Sequence, residues 1–468
     1  MNADKRAQFE NLVAAAVTHH KAGRLQEAEG AYCAALQILP GHAPIVHNLG
    51  VLAASRGDHV AATERFDVCI RADPHYASAH YNRAISLEAL GRRHESIKSF
   101  ARAAALEPEH YSSHRALGFL LLAEGRRDRA LDHFARTNEL RRGQNHTGIA
   151  SLSLTCATRA KLLHDAEQFR YLALNRRAEQ RLERLARNYE AVGRNFSQTI
   201  AKLSDPDLEL LGEDYNTAIH LIDAPEVAGG AVRERTDKDD ITSIFSTGRT
   251  GAVYFDEFLN PEALVALKRR LLESTIWHEF GHIGGFVASY LEDGLACPLL
   301  LQIADEARGA FPELLGPYPL SQAWAFKGLE PKSAIDVHAD DATVSINFWV
   351  TRSDANLNPG RGGLVVHRTP PPADWAIEGY DSDKGRIARF LEQNAQDTLL
   401  VPYRENRAVL FESRLFHQSD IPDFSQGYED HRINITLLFG DRGLRHREEL
   451  GPTKRHPELP ATKSTHGG

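Results

Sequence analysis

No run of 18 apolar residues occurs anywhere in the 468-residue chain, so an ordinary membrane-spanning helix is not expected. Positive charge is not in excess either. Lys and Arg number 55 against 63 Asp and Glu, a formal net charge of −8, so no global basic field calls for nucleic acid. The local basic run at 176–194 reads as a solvated helix face. Cysteine is scarce. Cys33, Cys69, Cys156 and Cys297 are scattered without metal-ligand spacing and read as small buried residues in a reducing compartment. No signal peptide precedes the amphipathic helix that follows Met-Asn-Ala-Asp-Lys-Arg. The expectation is a soluble, cytoplasmic protein with two to four domains.

The N-terminal stretch, as far as Arg142, carries an internal repeat. Gly23, Gly57, Gly91 and Gly125 are spaced by 34, as are Pro40, Pro74 and Pro108. Tyr32, Phe66, Phe100 and Phe134 keep the same interval. So do the small residues Ala16, Gly50, Ala84 and Gly118, and Ala28, Ala62, Ser96 and Ala130. Each unit reads as helix, glycine turn, helix and proline stop. The pattern resembles the tetratricopeptide repeat in detail. Arg142 stands where a fourth proline would fall, so the array is expected to end near 142. Such arrays expose a groove lined by their first helices. Asn48 and Asn82 hold equivalent first-helix positions there. Either they grip an extended peptide backbone, or Asn is simply tolerated at this position.

From 143 to 240 the helical pattern continues outside the repeat register and reads as a helical linker region, with a loop-like boundary at 229–240. His164 and Asp165 are expected at the surface or in a cap. Then a strand from Ala252 leads through Asn260, as a helix cap, and Pro261 into a helix. Residues 291–311 read as helical apart from Pro298.

The stretch Ser333-Ala-Ile-Asp-Val-His338-Ala-Asp340 places an imidazole and a carboxylate two residues apart. On a strand, such residues share a face and converge on one point. Two His and one carboxylate, with other positions open, suit non-haem Fe(II). The best third ligand is His417, far downstream of Asp340, where an apolar strand ends in a short turn. Further on, Arg432 opens a strand on which Asn434 and Thr436 share its face. His-x-Asp, a distal His and this Arg, with the Gly362-Gly363-Leu strand between them, resemble the Fe(II)- and 2-oxoglutarate-dependent oxygenases. The nearest branch is the prolyl-hydroxylase-like one. The resemblance covers roughly residues 250–442. It implies a jelly roll (double-stranded β-helix) over 241–445, with iron on His338, Asp340 and His417. It further implies that Arg432 binds the distal carboxylate of 2-oxoglutarate, with O2 as the oxidant. The long span between Asp340 and His417 departs from the family pattern; it holds a predicted helix at 382–393.

The fold class is therefore multidomain α + β: an α-solenoid, a helical linker, a jelly roll and a disordered tail at 446–468. His278-Glu-Phe-Gly-His282 matches the zinc-protease signature His-Glu-x-x-His. Gly281 weakens the helix which that chemistry needs, and a polar loop over the barrel is the reading adopted. Three functions stay open. One is hydroxylation of a protein or peptide presented by the repeats. The second is oxidation of a small molecule. The third is a repeat scaffold with a vestigial, cupin-like barrel. Nucleic-acid and membrane partners are not expected.

Overall fold

A computed structural model describes residues 2–143, 151–175, 180–247, 251–281, 285–330, 334–372, 375, 383–394 and 397–440. The expected tail at 446–468 lies outside these. Its contacts divide the chain into two units, Met1–Leu120 and Leu121–Arg442, apart from the tail. No helix among the described residues is long and apolar enough to cross a membrane.

The first unit is a tetratricopeptide-type array of antiparallel helix pairs: α1 (Ala3–Lys21) with α2 (Leu25–Ile38), α3 (Ala43–Ser55) with α4 (His59–Ala72), and α5 (Ala77–Ala89) with α6 (Arg93–Leu106). The start of α7 (Tyr111–Ala123) comes next. The repeated residues explain the geometry. Gly23, Gly57 and Gly91 sit at φ between +71° and +79°, where a Cβ would be strained, and turn each first helix into its partner. Tyr32, Phe66 and Phe100 are each at most 1% exposed. Cys69 is buried as expected, whereas Cys33 is exposed.

The second unit begins inside the fourth repeat. The division falls within α7 rather than at 142, because α8 (Arg127–Arg142) is built into the second unit. Arg127 pairs with Asp305 at 3.0 Å, and Arg141 donates to both oxygens of the buried Asp293. Arg142, which breaks the proline register, is fully buried, and its carbonyl accepts from the Ala218 amide. Next come α9 (Ser151–Thr155), β1 (Cys156–Ala157), α10 (Arg159–Asn175), α11 (Gln180–Arg194), β2 (Ala201–Lys202), α12 (Asp205–Leu211) and α13 (Lys238–Thr247). The basic run on α11 is one side only; Leu182, Leu185, Ala186, Tyr189 and Val192 pack with Phe169 and Leu172 of α10. Residues 229–240, expected as a boundary loop, lie inside this unit, where Glu306 accepts from the Ala231 and Val232 amides.

Then come β3 (Ala252–Phe255), α14 (Pro261–Glu273), β4 (Phe286–Tyr290), α15 (Pro298–Ala310), β5 (Leu320–Gly328), β6 (Val344–Trp349), β7 (Leu364–His367), α16 (Lys384–Asn394), β8 (Thr398–Val401) and β9 (Ala408–Glu412). The last two strands are β10 (His417–Ser419) and β11 (Ile433–Phe439). Asn260 stands at the N-cap of α14, but its side chain donates to Gly230 O instead of capping. Pro298 does not interrupt a helix; it starts one. The strands form a six-stranded antiparallel sheet, β3-β9-β6-β11-β5-β4, and a three-stranded one, β10-β7-β8. Trp349, Val409 and Phe411 of the larger sheet share a core with Leu364, Val366 and Val401 of the smaller. Every residue of β6 and β11 is buried. The face of β11 that carries Asn434 and Thr436 therefore points not to solvent but into the protein.

Truncating a repeat aromatic empties a site that no other side chain fills. Phe100→Ala should cost about 3–5 kcal/mol, read as a lower thermal unfolding midpoint. Val60→Ala, at a position 57% exposed, should change it little.

Candidate functional site

β10 is three residues long, and its first residue is His417. The His417 amide donates to His338 O at 2.8 Å, and the His338 amide donates to His417 O at 3.0 Å. A reciprocal pair of this kind sets two side chains on the same face of a ladder. The two imidazoles accordingly lie with centroids 4.3 Å apart. Two residues on, the Asp340 amide donates to Ser413 O at 2.9 Å and brings the carboxylate to the same point. His338 Nε2 is 3.7 Å from Asp340 Oδ1, and His417 Nε2 is 3.6 Å from Asp340 Oδ2. The ligand-type atoms all lie within 4.8 Å of one another. These gaps are too long for hydrogen bonds and short enough for one cation to touch all three groups.

The ring orientations are held from behind. His338 Nδ1 lies 2.8 Å from Asp336 O, and His417 Nδ1 lies 3.0 Å from Leu415 O. A carbonyl can only accept, so each Nδ1 carries the proton and each Nε2 presents its lone pair to the centre. Burial pushes the His417 imidazole down to about 4, against the opposing pull of Asp340. It is therefore neutral at ordinary pH, the form that ligates a metal. Asp340 is 4% exposed; its Oδ2 accepts from Ser345 Oγ at 2.8 Å, and that hydroxyl lies 2.8 Å from Ser413 Oγ. His338 is the more open ligand, its side chain 29% exposed.

Arg432 stands just before β11 and is 4% exposed. Its Nε donates to Gly362 O at 2.8 Å, one terminal nitrogen to Gly363 O at 3.0 Å, and the other to Asn434 Oδ1 at 3.1 Å. Among the described residues it has no ion-pair partner. Burial lowers this guanidinium to about 10, with Tyr403 and Asp420 opposing. The Gly-Gly motif has a steric reason. A Cβ on Gly363 would stand 2.0 Å from Val401 O, and Gly362 adopts φ +82°. Only glycine lets this backbone come close enough to hold the arginine. Between the metal-type cluster and Arg432, on the same face of β6, lie Asn347 and Trp349. Asn347 Nδ2 donates to Thr436 Oγ1 at 2.9 Å, while Asn347 Oδ1 and Trp349 Nε1 are buried without a hydrogen-bond partner among the described residues.

The other candidates lie elsewhere. His278 is not on a polar loop: it is 2% exposed, with Nδ1 at 3.3 Å from Asn216 Oδ1. Glu279 bridges to Ala288, and His282 falls outside the described residues. His164 and Asp165 are likewise buried rather than superficial. Asp165 pairs with Lys161 and with His164 Nδ1, and burial, helped by Lys327, lowers His164 to about 3. The rings that cover His164, those of Trp277 and Tyr428, are distant in sequence, so no local signal marked the burial. Arg414 pairs with Glu412 at 2.6 Å and is half exposed. His367 is half-buried on β7 and is not part of the cluster. Ser413, Asp336 and the carbonyls of Gly362 and Gly363 were missed from sequence. In the repeats, Asn82 Nδ2 lies 2.8 Å from His47 Nε2, and Asn48 contacts both His47 and Tyr32. Asn48 is thus spent within the array.

No family model matches the chain, and no curated protein matches it. Among solved structures, an O-GlcNAc transferase of Thermobaculum terrenum is similar at 28% identity, with a TM-score of 0.27, over 29% of this chain and 27% of that one. This chain thus matches about a quarter of that protein's length. YrrB, described as a TPR protein with an unusual peptide-binding site, is similar at 22% identity over 30% of this chain and 74% of that one, with a TM-score of 0.27. The first TPR of Spaghetti, bound to an HSP90 peptide, is similar at 18% identity over 25% and 94%, with a TM-score of 0.25. These likenesses are slight, and the repeat assignment stands on the regularly spaced helix pairs themselves.

Replacing His338, Asp340 or His417 with Ala should abolish tight uptake of one divalent ion per chain, measured by calorimetry. His278→Ala should leave uptake per folded molecule unchanged.

Proposed function

We propose that this chain is an Fe(II)- and 2-oxoglutarate-dependent oxygenase whose two sheets form a jelly roll, and that it hydroxylates a protein or peptide presented by the repeats. The observation that carries the reading is the convergence of His338, Asp340 and His417, together with the buried Arg432, which has no ion-pair partner among the described residues. Two imidazoles and one carboxylate, arranged to leave further positions open, suit ferrous iron better than a closed structural zinc site. When bound, iron and 2-oxoglutarate supply the activation of O2: one oxygen atom enters a substrate C–H bond, and the other enters the succinate formed with CO2.

The chain's own part is to bind, orient and shield. Ser345 donates to Asp340 Oδ2, the oxygen nearer His417, and so fixes how the carboxylate is turned to the two rings. Arg432 offers the N–H groups left over from its three intramolecular bonds to a carboxylate, a charge-assisted contact that burial strengthens. Asn347 Oδ1 and Trp349 Nε1 are polar atoms with unmet hydrogen-bonding capacity on the same buried face. The apolar core of Trp349, Leu364, Val366 and Phe411 keeps water from the interior.

The peptide reading rests on the array. A stack of helix pairs presents a long groove remote from any reactive group. Its free hydrogen-bonding capacity at the equivalent Asn positions is on Asn82, whose Oδ1 has no partner among the described residues. Binding energy gathered there would position the reacting carbon elsewhere.

Arg432→Ala should raise the 2-oxoglutarate requirement more than tenfold, since truncating one side of a buried charge pair costs roughly 2–5 kcal/mol. Succinate formation at varied 2-oxoglutarate measures it; an unchanged requirement moves the role to another residue. Deleting residues 1–110 spares α7 and α8 and so leaves the second unit whole. Uncoupled succinate formation should then persist while hydroxylation of the true substrate collapses. Equal hydroxylation with and without the repeats would favour a small-molecule substrate.

A further inference from the structure

The long span between Asp340 and His417 contains α16, and α16 lies behind the metal-type cluster. Side chains alternate along the two paired segments. His338, Asp340 and His417 face the centre; Val337, Ala339 and Phe416 face the other way. These outward residues share one apolar cluster with Ile387, Phe390 and Leu391 of α16 and with Trp375. The spacing of Ile387, Phe390 and Leu391 is that of a single helical stripe. Ile387 and Phe416 are both fully buried. Phe390 and Trp375 each set a ring on Phe416, at 6.0 and 6.2 Å, and on each other at 5.4 Å. The Arg386 guanidinium lies 3.9 Å over Trp375. Lys384 reaches Asp336, whose carbonyl holds the His338 ring, though that ion pair is exposed and worth little by itself.

The sheet alone holds this segment lightly. His338 belongs to an isolated bridge rather than a strand, and β10 has three residues. We infer that α16 is a brace for the metal centre: its apolar stripe, acting on Val337, Ala339 and Phe416, fixes the separation of His338 and His417. Ile387, Phe390 and Trp375 are on this account positioning residues, since none of them reaches the cluster. The inference rests on the proposed metal site.

The test measures Co(II) affinity and the visible Co(II) spectrum of full-length wild type, Ile387→Ala and the milder Ile387→Val. Leu185→Ala, a comparable truncation in the α10–α11 core, is the control for general destabilisation. Thermal unfolding is followed separately. The brace predicts about tenfold weaker Co(II) binding and an altered spectrum for Ile387→Ala, the scale of loss when a ligand's support is removed. Ile387→Val should fall between it and wild type, and Leu185→Ala should bind as wild type. If folded Ile387 variants bind Co(II) as tightly as wild type, or if Leu185→Ala weakens binding equally, the brace is wrong while the metal site stands. If wild type takes up no Co(II), the metal reading itself fails, and the brace with it.

Discussion

The cluster of His338, Asp340 and His417 depends on one pair of backbone hydrogen bonds, those exchanged by His338 and His417. They join two segments that are distant in the chain and set both imidazoles on one side of the ladder. Without this register the rings would not meet, since a slip of one residue turns a side chain to the opposite face. Everything else near the cluster secures that register. Asp340 is tied through its amide to Ser413, Val366 pairs with His417 from the other side, and an apolar cluster lies on each face.

The polarity of the interior follows from the same layout. β6 and β11 are adjacent and buried on both faces, so Ser345, Asn347, Asn434 and Thr436 are shielded from bulk solvent. Such a stripe is costly unless it meets partners. Part of it is satisfied internally, by Asp340, Thr436 and Arg432. The remainder lies near Arg432, which has no ion-pair partner among the described residues; the proposed dicarboxylate would meet both. A pair of sheets built only for stability would have filled these positions with Val or Leu.

How much was legible in the sequence differed by region. The repeats were readable because each unit renews the same physics at a fixed interval, from the left-handed turn at Gly57 to the buried ring of Phe66. The metal cluster was readable because His338 and Asp340 are two apart and the strand before His417 is apolar. Arg432 could be named, but its carbonyl cradle could not, since Gly362 and Gly363 act through backbone atoms. Burial of His164, Asp165 and His278 was missed because the groups that cover this region, Trp277 and Tyr428 on His164 and Asn216 on His278, come from distant parts of the chain. The contacts divide the chain earlier than the repeat pattern ends, because α8 has a repeat sequence while Arg127 and Arg141 on it pair with Asp305 and Asp293. The helix in the long span was foreseen near its true place, at Lys384–Asn394, though not the cluster it joins.

The central claim is that one metal and one 2-oxoglutarate share a site. Titrating full-length protein with redox-inert Mn(II), then with 2-oxoglutarate, tests it most directly. The account predicts one equivalent of each, with 2-oxoglutarate binding strengthened at least tenfold by the metal, as expected if both contact one site. Absence of Mn(II) uptake, or 2-oxoglutarate binding indifferent to Mn(II), would contradict it.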